Sequence, residues 1–316
     1  MTWFAETQHF AGSPHWTWYI LVYFFVAGLA GGCYFLATFL RYWGTPADEP
    51  AARLGFYVPL PATAVAALML TLDLNQPLRF WHMLVNTTPD GFGLNFNTTT
   101  PMSIGVWALV VGSIFALVAF IEALVRDRKI RHPAGNRLAA LLDGSAGRAF
   151  HVVGALLYVF IAGYTGVLLA VSNQPVWSDT WALGGLFLAS GLSGSAALLL
   201  LLIARYRREA EPSRGFLELC ERLFTALELA LLLVLVLTLI DDGALDEAFA
   251  LPWIPLWLLA LAGMLPGLGG LATSRLRVTG GGTLVAERTA ALVAAPALVL
   301  VGVFALRAAV IFSAQA

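Results

Sequence analysis

The chain has 316 residues, of which 59 % are apolar and only 12 % charged, with mean hydropathy +0.80 and net charge −1. Soluble domains carry about a quarter charged residues, so this much apolar surface belongs in a bilayer. Two cysteines exclude a disulfide scaffold, a four-cysteine zinc site and a self-contained iron–sulfur cluster, and the balanced charge excludes a nucleic-acid partner.

Apolar runs of about 20 residues, enough to cross a hydrocarbon core roughly 30 Å thick, occur at 17–42, 54–74, 102–125, 150–171, 182–204, 219–240, 251–272 and 289–312. They are continuous rather than alternating, which excludes an outer-membrane barrel. No basic region and no small-residue cleavage site precede the first run, so it reads as a retained helix. The fold class is all-α integral membrane with eight transmembrane helices.

The basic residues give the orientation. All but two of the 18, Arg79 and Arg307, fall in or beside the loops after spans 1, 3, 5 and 7. The loop after span 6 holds Asp241, Asp242, Asp246 and Glu247 and no basic residue. Positively charged loops stay in the cytoplasm, so the sequence predicts an N-out/C-out protein. The 126–148 loop is basic and compatible with a helix. The 75–101 loop is outside, long, rich in Asn and Thr, and carries Phe80, Trp81, Phe92 and Phe96. Two readings stay open for it: an interfacial aromatic belt, or a docking surface for an extracytoplasmic partner. Gly28, Gly31 and Gly32 in span 1, and Gly191, Ser193, Gly194 and Ser195 in span 5, predict close helix packing.

Ionisable groups in a bilayer need a reason to be there. Asp73 ends span 2 and is either paired with Arg79 or a proton acceptor at the outer face. Tyr164 lies about two turns below the outer end of span 4, flanked by Gly163 and Gly166. Its phenol needs a partner. His15 and Tyr19 open span 1 at the same level. The directions of spans 1, 2 and 4 therefore bring His15, Tyr19, Asp73 and Tyr164 to the outer leaflet, with Arg79 close by. Glu122 ends span 3 on the inner side, within reach of Arg126. Glu228 in span 6 is a candidate proton relay, and Arg307 in span 8 needs an acidic partner or a wet cavity. Transmembrane haem needs paired intramembrane histidines, whereas His151 starts span 4 alone, so no haem and no metal are expected in this chain.

Several motifs fall in order along the first half of the chain. They are Trp16-Thr17-Trp18-Tyr19-Ile20 with Tyr23 and Gly28-Leu29-Ala30-Gly31-Gly32, then Leu72-Asp73-Leu74 with Pro77-Leu78-Arg79-Phe80. Pro101-Met102-Ser103-Ile104-Gly105-Val106-Trp107 follows, and then Tyr164-Thr165-Gly166-Val167-Leu168-Leu169 running to Asn173-Gln174-Pro175-Val176-Trp177. The pattern resembles the polysulfide-reductase/NrfD family of membrane subunits.

The resemblance implies two four-helix bundles, residues 1–177 and 178–316, in a bacterial cytoplasmic (inner) membrane. It implies a menaquinone or ubiquinone site near the outer face of the first bundle. Outer-face partners would be a four-cluster iron–sulfur subunit and a molybdopterin catalytic subunit, with the chain itself catalytically idle alone. Tyr164 matches the family's quinone-contacting tyrosine and Asp73 an acidic position of the quinol-handling bundle. Leu21 and Trp18 stand where the family offers a histidine and an asparagine. A transporter and a purely structural anchor are the rival classes, and the lack of repeated halves and midplane sites speaks against the first.

Overall fold

A computed structural model of the chain describes residues 16–74, 76–88, 91–172, 174–273 and 284–315. The described residues form eleven α-helices and one short hairpin. In chain order these are α1 (Trp18–Trp43), α2 (Glu49–Phe56), α3 (Pro59–Asp73), β1 (Val85–Thr88), β2 (Gly91–Leu94) and α4 (Pro101–Arg126). There follow α5 (Pro133–Leu141), α6 (Ser145–Ala170), α7 (Leu183–Tyr206), α8 (Arg214–Asp241), α9 (Leu245–Ala248), α10 (Ile254–Thr273) and α11 (Leu284–Ser313). Among the described residues seven helical stretches are long and apolar enough to cross a membrane. Predicted span 7 falls on α10, which is apolar over the shorter Ile254–Gly269.

Local chemistry sets the boundaries. Thr17 caps α1, its hydroxyl accepting from Tyr19 N–H at 3.4 Å. Predicted span 2 is two helices, because Pro59 and Pro61 open α3. Neither has an N–H to satisfy, and Ala62 N–H makes an early bond of the new helix to Val58 O at 3.1 Å. Proline also stands in the first turn of α4 and α5. The hairpin is antiparallel, with Val85 opposite Leu94 and Thr88 opposite Gly91.

Helices α1 and α7 are central, buried over most of their length, whereas α4 and α8 are exposed along much of theirs. On α8 the outward side chains are Leu219, Leu223, Leu227, Leu233, Leu237 and Ile240. An apolar stripe that long demands an apolar solvent. The α1–α7 crossing is made by glycine: a Cβ on Gly191 would lie 3.1 Å from Gly28 Cα, and one on Gly32 would overlap Ser195 Oγ. Gly31 instead meets α6 at Tyr158 and Ala162. The apolar core is continuous across residue 177. Phe24 of α1, Trp177, Phe187 of α7 and Leu306 of α11 belong to one buried cluster.

Candidate functional site

The end of α3 that carries Asp73 opens onto a cavity of about 380 Å³. Its walls are Trp16 just before α1, Ile20 and Tyr23 of α1, Ala67, Leu68, Leu70, Thr71 and Asp73 of α3 with Leu74 after it, the loop side chains Phe80, Met83 and Leu84, Gly105 and its neighbours on α4, and Tyr164 with Leu168 on α6. Most of the lining is apolar. The polar groups are few: Asp73, Thr71, Tyr23 and Tyr164. Thr71 is turned to its own helix, donating to Ala67 O at 2.8 Å.

Tyr164 donates to the Pro101 carbonyl at 2.6 Å. That carbonyl sits in the first turn of α4, and the phenol reaches it across a wall with no side chain of its own. A Cβ on Gly105 would lie 2.5 Å from the Tyr164 hydroxyl oxygen, so glycine there is what lets the ring lie flat. The one hydroxyl hydrogen is committed, and the oxygen keeps acceptor capacity. Asp73 accepts from Thr17 Oγ at 3.3 Å, which ties the end of α3 to the start of α1. No ion pair joins Asp73 to Arg79 among the described residues, and Arg79 is exposed.

Of the residues singled out from the sequence, Asp73 and Tyr164 line this one cavity. Tyr19 is turned toward Trp18, ring centroids 4.1 Å apart, and neither it nor Arg79 is among the lining side chains. His15 lies outside the described residues. Trp16 and Tyr23 are lining residues to which sequence reasoning gave no role in the site. The available signal was spacing, since Ile20 and Tyr23 stand three apart and share a face of α1.

Residues 6–316 match the family model described as Polysulphide reductase, NrfD. The chain belongs to this family. It is 28 % identical over 192 residues to the C subunit of the polysulfide reductase of Wolinella succinogenes, covering 59 % of this chain and 57 % of that one. It is 26 % identical over 207 residues to protein NrfD of Escherichia coli, covering 62 % of each chain. A protein NrfD homolog of Haemophilus influenzae is 27 % identical over 205 residues, 60 % of each. The matched stretch thus spans about 57–62 % of the length of these relatives.

Two further polar clusters lie inside the NrfD-family chain. At the arginine-rich end Glu122, fully buried, meets His151 Nε2 at 2.7 Å, Arg126 Nε at 2.8 Å and Arg41 Nη1 at 2.9 Å. His151 Nδ1 faces the Tyr34 hydroxyl at 3.3 Å, so both ring nitrogens are engaged. Tyr34 stacks on Tyr158, whose hydroxyl pairs with Thr63 at 2.8 Å. Beside it Asp127 binds Arg53, Arg207 and the Tyr57 hydroxyl. From the sequence Glu122 had only Arg126. His151 was legible as a partner from topology alone, since it opens span 4 at the level where Glu122 closes span 3.

The other cluster lies between α1, α7, α8 and α11. Arg307 is fully buried and donates to Ser190 Oγ at 2.7 Å, Phe187 O at 3.0 Å, Val303 O at 3.2 Å and Phe24 O at 3.3 Å. It also lies over the Phe187 ring, 5.1 Å from the centroid. Backbone carbonyls and a serine bond it directly, and the acidic partner that the sequence predicts is Glu228, which attracts it through space without a direct ion pair among the described residues. Glu228 accepts from Ser193 Oγ at 3.0 Å, one turn along α7 from Ser190.

Proposed function

We propose that this NrfD-family chain is the quinone- and quinol-binding membrane subunit of a respiratory oxidoreductase, exchanging electrons between the quinone pool and an extracytoplasmic iron–sulfur partner. The observation that carries the reading is the cavity that holds Asp73 and Tyr164 together. Its volume lies in the range of ligand pockets, roughly 300–1,000 Å³, and a mostly apolar lining with a few convergent polar groups suits an aromatic ring with two oxygens. A bound quinone supplies two-electron, two-proton chemistry.

The chain's own groups do the rest. Tyr164, its hydrogen held by Pro101 O, presents an acceptor to a ring hydroxyl. To donate to a ring carbonyl it must give up that bond. Asp73 accepts from Thr17 and has a second oxygen available to take or return a proton. Both acceptors suit the reduced, hydroxyl-bearing ring.

The membrane arrangement belongs to the same proposal. Eight spans, counting α10, form two four-helix bundles in the cytoplasmic membrane. The arginine-rich end carrying Arg41, Arg126 and Arg207 is cytoplasmic, and the segments before α1 and after α11 are outside. The cavity then faces the outer leaflet. The β1–β2 hairpin stands above it and offers Phe92 and Leu94, both well exposed, to a partner.

The test is kinetic, on the complex purified from native membranes. Tyr164→Phe should slow quinol-linked turnover about tenfold by removing one hydrogen bond. Asp73→Asn should reduce it further, while activity with a dye that feeds soluble partner subunits stays intact. Wild-type quinol kinetics in both variants, with the complex assembled, would place the site elsewhere.

A further inference from the structure

Trp16 precedes α1, and neither its N–H nor its carbonyl is paired within that helix. One side chain takes both. Gln315, in the turn that follows α11, accepts from Trp16 N–H at 2.7 Å and donates to Trp16 O at 3.2 Å. The second amide hydrogen goes to Ile311 O at 2.9 Å. Flipping the amide would set donor against donor and oxygen against two carbonyls, so its orientation is fixed by the bonds.

The indole is held from the same direction. Trp16 stacks on Trp177 with centroids 4.9 Å apart and meets Phe24 edge-on at 5.9 Å. Trp177 in turn donates to Val310 O at 2.7 Å, and Gln174 bonds Ala314 O. Trp16 is a wall of the cavity, and its neighbour Thr17 bonds Asp73. The Trp16-Thr17 pair is therefore a strap, fastened at one end to α11 and at the other to the carboxylate of the site.

We infer that Gln315 is a positioning residue for the cavity, fixing Trp16 as its wall and so setting the affinity for an aromatic ring. This rests on the quinone-pocket reading. Capping α1 does not require Gln315, because Thr17 caps that helix by itself. A side chain 299 residues away that reads both backbone groups of one tryptophan serves the position of that tryptophan.

The probe is 2-heptyl-4-hydroxyquinoline N-oxide, titrated into the full-length purified chain and followed by quenching of its own fluorescence. Gln315→Ala should weaken binding roughly tenfold while the melting temperature in detergent is unchanged. Gln315→Glu keeps the acceptor for Trp16 N–H but turns its other oxygen on the Trp16 and Ile311 carbonyls, so it should weaken binding at least as much as Gln315→Ala. Trp16→Ala should weaken binding at least as much, and adding Gln315→Ala to it should change nothing more, since both act through one wall. Wild-type affinity in Gln315→Ala overturns the inference, as do losses that multiply in the double variant. A binding loss that comes with a lowered melting temperature overturns it too. If the wild-type chain fails to bind the probe, the pocket reading itself falls, and the positioning role with it.

Discussion

Glu122 shows how much a single buried carboxylate can hold. Two arginines and a histidine converge on it, and among the described residues Arg41 has only Glu49 as another carboxylate. Removing one partner of a buried ion pair leaves an uncompensated charge, which costs about 3–5 kcal/mol, against about 1 kcal/mol for a surface pair. Glu122→Gln should therefore lower the melting temperature of the purified chain sharply, and Glu211→Gln, whose pairing with Arg214 is exposed, should not. Equal melting curves for the two variants would show that the hub carries no net stability. The two carboxylates also differ in reach. Glu122 ties α1, α4 and α6 together, while Glu211 reaches one turn along the chain.

Among the elements, the β1–β2 hairpin is anchored by its base. Asn95 N–H bonds Leu84 O at 2.8 Å, its side chain bonds His82 O at 3.1 Å, and its carbonyl accepts from the Trp107 indole at 3.0 Å. Phe92 and Leu94 project from a strand so fixed, 86 % and 74 % exposed. Replacing both by Asp should release the proposed outer partner from the purified complex at lower salt without disturbing the helices. Unchanged retention would move the docking face elsewhere. Elements like this mark what was legible in the sequence. The span positions could be read because an apolar stretch of that length has one home, and Asp73 and Tyr164 could be set at one level because span direction alternates. The break at Pro59 was hidden inside a run that stayed apolar throughout. The Gln315–Trp16 clasp, and the carbonyls that receive Arg307, join residues with no sequence spacing between them, and pairing of that kind appears only when the helices pack.

For the whole molecule, orientation is the largest proposal still to be measured. Cys33 and Cys220 are both buried, so an introduced cysteine should report with little background. In intact cells an impermeant maleimide should label Asp246→Cys in α9 and spare Arg137→Cys in α5, and the reverse pattern would invert the assignment. The core that runs unbroken through both proposed bundles has a consequence for synthesis. Arg307 belongs to α11, and the groups that receive it, Phe24 O, Phe187 O and Ser190, belong to α1 and α7. Membrane helices leave the ribosome in chain order, so the receptor for this guanidinium is already in the bilayer when the guanidinium arrives. A charge that would be stranded in lipid if it came first is made last, and finds its hydrogen-bond acceptors waiting.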